Sequence, residues 1–167
     1  MTELRPAVSM EAINTAKRER DTKQPIPKIA LLLAYGGAFP FLFLSFCLWF
    51  PQNNQIPLIH DALNTYSAII LSFVGAIYWG IYISEGSERL SWHLIVSILP
   101  ALVGWFALFA THFLSYFVLS AAFGIVCLYD INQTKKGYLP VWFPKLRVPI
   151  TLLVILSLIN AQIFILV

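Results

Sequence analysis

The amino-acid sequence predicts an all-α integral membrane protein, a helical bundle of five transmembrane helices. The first observation is composition: 59% of the 167 residues are hydrophobic and only 11% are charged, whereas soluble domains carry about 25% charged residues. So few charges cannot cover a water-facing surface, so lipid must surround most of the chain. The second is that the hydrophobic residues form long runs. The third is that every Lys and Arg falls between runs on one predicted side of the membrane.

The net charge of +3 does not indicate nucleic-acid binding, because membrane topology explains the positive charges. Cys47 and Cys127 lie in apolar runs without CxxC or Cys/His spacing, which predicts inert thiols. The sequence has no Gly-rich phosphate loop, HExxH motif or nucleophile elbow. We therefore expect no catalytic residue, metal or cofactor.

Residues 1–27 are polar and mixed in charge, and they predict a cytoplasmic N-terminal tail ahead of a transmembrane domain at 28–167. The first predicted span covers 28–50, which satisfies the requirement for about 20 apolar residues. Pro40 in its middle predicts a kink. The second span is predicted at 63–83.

The next apolar stretch continues for about forty residues, to Asp130. A single helix of that length would be about 60 Å long, twice the ~30 Å hydrocarbon core. The stretch therefore predicts a hairpin of two spans, 90–110 and 112–130, which turns at Thr111-His112. The last span is predicted at 148–167.

Charge supports this count. Five spans place the N-terminal tail and the loops 84–90 and 131–147 on one side, with all eleven Lys and Arg residues. The positive-inside rule puts that side in the cytoplasm, with the N-terminus, and the C-terminus outside. A four-span alternative would expose the four basic residues of 131–147 on the outer side.

Small residues recur every four positions through the second span, and Gly75 lies on the same side; the recurring positions are Ala68, Ser72, Ala76, Gly80 and Ser84. Such a stripe predicts a close helix–helix contact. The third span offers a partner face with Ser97, Ala101 and Gly104, and Pro100 would bend that helix. The alternative is a binding pocket lined by Tyr78, Trp79 and Tyr82.

Polar groups inside a membrane are candidate functional sites because they are costly in lipid. His93 is expected to be an interfacial histidine bonded to a neighbouring loop, with proton handling or cofactor ligation as the alternative. His60 and His112 are expected to be solvated on the outer side of the membrane. Asp130 and Arg147 lie at the inner ends of two spans and are expected to form an ion pair. Asn160 and Gln162 are expected to form interhelical hydrogen bonds.

Four motifs occur in order, "YSAIILSFVGAIYWG", "SILPALVGW", Asp130 and "PVWFPKLRVPIT". Together they resemble the domain-of-unknown-function 3429 family. The resemblance implies a multi-pass protein of the bacterial cytoplasmic (inner) membrane, and it implies no activity. The matching positions are Gly75, Trp79, Gly80, Pro100, Trp105, Asp130, Trp142, Arg147 and Thr151.

We expect a non-catalytic accessory or assembly subunit of a larger membrane complex, with a respiratory complex as one candidate. Its expected partners are the lipid bilayer and either another membrane protein or further copies of the chain. The alternatives are a small transporter or channel and a membrane enzyme or cofactor carrier that uses His93. The candidate positions are Ser72, Gly75, Ala76, Tyr78, Trp79, Gly80, His93, Pro100, Trp105, Asp130, Trp142, Arg147 and Thr151.

Overall fold

The structure, a computed structural model, describes residues 25–50, 55–85 and 91–167, and within these ranges all regular structure is helical. The helices are α1 (Lys28–Cys47), α2 (Ile56–Gly75), α3 (Ile77–Glu85), α4 (Ser91–Ala107), α5 (His112–Lys135) and α6 (Phe143–Leu166). The predicted all-α membrane bundle is confirmed. Residues 1–24 of the predicted tail lie outside the described residues, and so does most of the predicted loop 84–90.

Four helical stretches are long and apolar enough to cross a membrane: Lys28–Cys47, Ile56–Ser84, His112–Lys135 and Phe143–Leu166. The second of these contains α2 and α3. The remaining helix, α4, has 17 residues and is therefore about 25 Å long, at the short end of the range for a membrane span. The described residues thus form five units that each run along the bundle, in the order that the sequence predicts. They are α1, α2 together with α3, α4, α5 and α6.

Close contacts fix the direction of α4 against α2. A Cβ added at Gly75 would lie 2.6 Å from the backbone oxygen of Ser97. One added at Gly104 would lie 3.1 Å from the backbone oxygen of Ala68. Since position 75 opposes 97 while 68 opposes 104, the two helices are antiparallel and packed at backbone distance.

Helices α5 and α6 are also antiparallel. Arg147 pairs with Asp130, and Gln162 bonds to the backbone of Phe113 at the other extreme of both helices. One end of the bundle therefore holds the start of α1, α4 and α6 and the end of α3 and α5. We call it the basic end because it carries Lys28, Lys135, Lys136, Lys145 and Arg147.

An apolar layer fills the middle of the bundle between its two ends. Phe41, Leu71, Leu119 and Leu158 are fully buried there. The rings of Phe41 and Phe123 meet edge to face at 5.9 Å. A smaller cluster joins α1 to α6 near the basic end, formed by Ala38, Leu146 and Ile150. Because lipid is as apolar as these side chains, close packing is what holds them together.

Three helix boundaries differ from the predicted spans by five residues or more. The second span was predicted from residue 63, but α2 begins at Ile56, with a proline in its first turn. The last was predicted from residue 148, but α6 begins at Phe143, and again a proline lies in the first turn. Proline fits that position because the first amides of a helix need no partner within it. The predicted fourth span ends at 130, whereas α5 continues to Lys135. Hydropathy marks the apolar part of a helix and does not detect polar extensions.

The second predicted span is interrupted at Ala76, between α2 and α3. The backbone amides of Trp79 and Gly80 both donate to the Ala76 carbonyl, at 3.1 and 3.3 Å. Such shared bonding is a tight turn within an otherwise helical stretch. The two helices therefore meet at Ala76 without a loop between them.

Candidate functional site

A buried ion pair lies at the basic end, and three helices contribute to it. The Asp130 side chain on α5 is 0% exposed, and its Oδ2 accepts a hydrogen bond from Arg147 Nε of α6 at 2.9 Å. Its Oδ1 accepts a second hydrogen bond from the hydroxyl of Tyr78 on α3. The predicted ion pair is therefore present, and the sequence did not predict the third partner. Both oxygens of the carboxylate are satisfied, which a buried charge requires.

His93 extends this cluster toward the start of α4. Its ring packs against Tyr78 at 5.7 Å and against Tyr138 at 5.3 Å. Its Nε2 lies 3.4 Å from Oε1 of Gln133, a residue of α5. His93 was expected to bond to a loop. That expectation was wrong for the hydrogen bond, because Gln133 belongs to α5, which extends past the predicted end of its span. Tyr138, which follows α5, supplies the aromatic contact. His93 Nδ1 is buried without a hydrogen-bond partner among the described residues.

A cavity of about 200 Å³ lies between α1, α2, α5 and α6, next to the ion pair. Its lining is apolar except for Arg147 and Thr151, one helical turn apart on α6. Arg147 Nη2 and Thr151 Oγ1 are both buried and have no hydrogen-bond partner within the described ranges. Two residues with an unused donor thus belong to an otherwise apolar lining. The sequence marked both residues but gave no sign of a cavity.

Only part of the small-residue stripe forms the predicted contact with α4. Gly75 packs against Ser97 and Pro100, and Gly104 packs against Ala68. Ala68 and Gly75 both belong to α2, so these contacts precede the break at Ala76. Gly75 has no room for a side chain there, because Pro100 Cγ would lie 2.9 Å from its Cβ.

The rest of the stripe points elsewhere, which corrects the expectation of one continuous contact. The Ser72 hydroxyl donates to the Ala68 carbonyl at 2.8 Å, within its own helix. Ala76 and Gly80 are exposed, and a Cβ at Gly80 would meet nothing within 4 Å. The physical reason is helix geometry: with 3.6 residues per turn, each step of four residues turns the position by about 40° around the axis, so the stripe winds away from α4.

The alternative pocket of Tyr78, Trp79 and Tyr82 is not formed as predicted. Tyr78 is fully buried against Asp130, Trp79 is largely exposed, and Tyr82 is half-buried. Trp105 is also exposed, and its ring lies against Phe106 and Phe109 of its own segment.

Trp142 differs from these tryptophans because it is half-buried. It packs on the small cluster of Ala38, Leu146 and Ile150 at the basic end. Its aromatic partner is Phe143, the first residue of α6, at 6.0 Å.

A second polar cluster lies at the opposite end of the bundle. His60 was expected to be solvated, but it is buried, and its Nδ1 lies 2.8 Å from the Tyr116 hydroxyl. The helix α2 extends beyond the predicted span, so His60 belongs to a packed helix. His112 was also expected to be solvated; it is half-exposed, and its Nε2 lies 2.9 Å from Asp61 Oδ1. The rings of His60 and His112 are 5.0 Å apart.

The two amides of the last helix form the predicted interhelical hydrogen bonds. Asn160 donates to the Ser45 carbonyl at 3.1 Å and accepts from Trp49 Nε1 at 3.2 Å. Gln162 donates to the Phe113 carbonyl at 3.2 Å. Both side chains therefore tie α6 to its neighbours.

No group of three or more His, Cys, Asp or Glu side chains suited to a metal ion occurs within residues 25–50, 55–85 and 91–167. Both cysteines are free; Cys127 is buried and Cys47 is half-buried.

The comparisons with known proteins agree with this architecture. The family described as "Protein of unknown function (DUF3429)" matches residues 26–163. Transmembrane protein 69 of Xenopus tropicalis is 34% identical over 141 residues, which are 82% of this chain and 54% of that protein. The chain thus spans about half the length of this curated relative. No solved structure matches the chain. Since the family match covers all six helices almost completely, the chain belongs to the DUF3429 family of proteins of unknown function.

Proposed function

We propose that this protein is a non-catalytic accessory or assembly subunit that docks onto a larger membrane complex. The observation that carries this proposal is an uncovered surface at the α2–α3 break. We call it the outer face and define it by Ala76, Trp79 and Gly80, all of them exposed. The helix α4 packs on a different side of the same unit, at Ala68 and Gly75.

Membrane helices associate where small residues allow two backbones to approach. Ala76 and Gly80 are one turn apart, and the space in front of Gly80 is open to at least 4 Å. The exposed indole of Trp79 beside them is a residue type that often anchors interfaces. The helix break is a second support, because irregular backbone at membrane depth is best tolerated where protein covers it. A transmembrane helix of another protein, with small residues at the contact, fits this face.

The interior of the bundle supports a scaffold role over transport. Polar side chains cluster at each end, around Asp130 and around His60, and bond largely to one another. Between the ends, the buried hydroxyls of Ser67 and Ser157 donate to the backbone of their own helices. The fully buried apolar layer with Phe41, Leu71 and Leu119 lies between the clusters. Asn160 and Gln162, the polar amides of the last helix, bond to neighbouring helices.

Affinity purification in mild detergent tests the docking proposal. The tagged protein is purified at native expression, and mass spectrometry identifies what accompanies it. We expect a stoichiometric membrane-protein partner with the unmodified chain. Gly80→Leu and Ala76→Leu should remove that partner, because a leucine fills the space that the partner's backbone needs.

The matched control is Gly36→Leu. Gly36 also lies on a helix, is exposed, and has nothing within 4 Å of its Cβ position. The control should retain the partner. Identical co-purification from the Gly80 and Gly36 variants would count against docking through the outer face.

The membrane arrangement is part of the same proposal. We place the basic end in the cytoplasm of a bacterium and the end of α6 outside the cytoplasmic membrane. The support is the distribution of all eleven Lys and Arg residues onto the predicted inner side, which the positive-inside rule associates with the cytoplasm.

A further inference from the structure

The cavity beside the ion pair reaches the outer surface between α1 and α2. Its lining includes Leu33 of α1 and Phe73 of α2, and both side chains are largely exposed. Farther in, the lining includes Phe41 and Val154, which belong to the buried core. In a membrane, the molecules that meet such a lateral opening are lipids.

Two unused donors lie on one wall of this cavity. Thr151 is 4% exposed and Arg147 is 14% exposed. Neither Thr151 Oγ1 nor Arg147 Nη2 has a hydrogen-bond partner in the described part of the chain. Buried polar groups are nearly always paired, and an unpaired one is costly. Both residues line the cavity, so an oxygen acceptor that enters it can pair with these groups once the side chains turn toward it.

Polarity changes along the cavity in one direction. Arg147 lies in the second turn of α6, close to the basic end, and Val154 lies about 10 Å deeper along the same helix. The apolar Phe143 and Leu146 also line the cavity near the basic end, whereas the lining deeper than Thr151 is apolar throughout. A membrane lipid has the same order, with a polar head at the surface and an acyl chain below it.

Charge selects the type of head group. Nε of Arg147 donates a hydrogen bond to Asp130, whereas Nη2 of Arg147 has no hydrogen-bond partner within the described residues. Lys135, Lys136 and Lys145 surround this end of the bundle. Basic residues near a membrane surface attract anionic lipids, and a guanidinium binds phosphate oxygens with good geometry.

We propose that this cavity binds one anionic phospholipid, whose phosphate accepts hydrogen bonds from Arg147 and Thr151 while an acyl chain lies against Phe41 and Val154. This site is independent of the outer face, so either proposal can fail alone. The lipid enters between α1 and α2, and it ties α1 to α6 at the basic end.

Native mass spectrometry of the full-length protein in mild detergent tests the site. The probes are phosphatidylglycerol and phosphatidylcholine with identical acyl chains, added at equal concentration. We expect the protein to retain one phosphatidylglycerol at least about tenfold more tightly than phosphatidylcholine. Thr151→Val removes a hydrogen bond to a charged group and should weaken phosphatidylglycerol binding by about tenfold. Ala34→Phe, which fills the cavity from α1, should weaken the binding of both lipids.

The matched control is Ser120→Ala. The Ser120 hydroxyl is also buried and unpaired within the described residues, but it does not line the cavity. This variant should bind both lipids as the unmodified protein does. Equal retention of the two lipids, or an unchanged preference in Thr151→Val with its fold intact by circular dichroism, would overturn the proposal. Stabilisation by inorganic phosphate equal to that by phosphatidylglycerol would also overturn it, because the acyl chain would then contribute nothing.

Discussion

At the scale of single residues, the strongest constraint is the carboxylate of Asp130. It is fully buried at the end of an apolar helix, where an unpaired charge would be very costly. Arg147 and Tyr78 each satisfy one of its oxygens. Three helices are therefore joined through one side chain. Positions in the sequence were enough to predict the partner Arg147, because both residues lie at the same end of neighbouring spans.

Tyr78 could not be predicted as the third partner. Its contact with Asp130 depends on how α3 packs against α5, and the hydrophobic pattern of the second span does not show that packing. The same limit applies to the cavity. Its shape depends on how α1 lies against α2 and α6, and a single sequence gives no packing distances.

The ion-pair cluster leads to a stability prediction. Tyr78→Phe removes a hydrogen bond to a charged group and should lower the free energy of unfolding by about 2 kcal/mol. Asp130→Asn leaves Arg147 without its counter-charge and should lower it by about 3 to 5 kcal/mol. Unfolding in mixed detergent, followed by circular dichroism, measures both values.

Tyr129→Phe is the matched control for this series. The Tyr129 ring packs edge-on against Tyr78 at 4.9 Å, so the control removes a hydroxyl from the same region while keeping the ring. It should change stability less than Tyr78→Phe does. An Asp130→Asn protein as stable as the unmodified one would contradict the role given to the ion pair.

At the scale of elements, the α2–α3 unit has two different sides. Before the break, Ala68 and Gly75 pack against α4 at backbone distance. After it, Gly80 faces open space. The four-residue spacing correctly predicted a helix contact at Ala68, because that part of the stripe lies in a regular helix. It failed for Ala76 and Gly80, because each step of four residues turns the position by about 40° in a helix of 3.6 residues per turn.

The two glycines should therefore respond differently to the same substitution. Gly75→Ala forces a Cβ to within 2.6 Å of the Ser97 oxygen, and overpacking of this kind costs about 1 to 3 kcal/mol. Gly80→Ala meets no neighbour and should be neutral or stabilise the helix by up to about 1 kcal/mol. Thermal unfolding of the purified variants in detergent compares them directly. Equal destabilisation by both changes would refute the assignment of the two sides.

At the scale of the whole molecule, the number and order of the five units that run along the bundle followed from the sequence. The forty-residue apolar stretch could not be one span, and the structure divides it between α4 and α5, with His112 as the first residue of α5. Length arguments are robust because the bilayer thickness is fixed. The orientation relative to the cytoplasm rests on the positive-inside rule and remains a prediction.

Reporter fusions test that orientation. Alkaline phosphatase is active only outside the cytoplasm, so a fusion after residue 110 should be active in a bacterial host. A fusion after residue 137, at the basic end, should be inactive because Lys135 and Lys136, which this fusion retains, hold that end inside. Activity in the reverse pattern would show that the bundle is inserted the other way round.

The central claim is that the outer face binds another membrane protein. Site-specific photo-crosslinking in living cells tests it most directly, with a photoreactive amino acid at position 80 and, as the control, at position 36. Both glycines are exposed and have open space in front of them. The proposal predicts a discrete adduct with a second membrane protein from position 80 and none from position 36. The same adducts from both positions, or adducts with lipid alone at position 80, would contradict it.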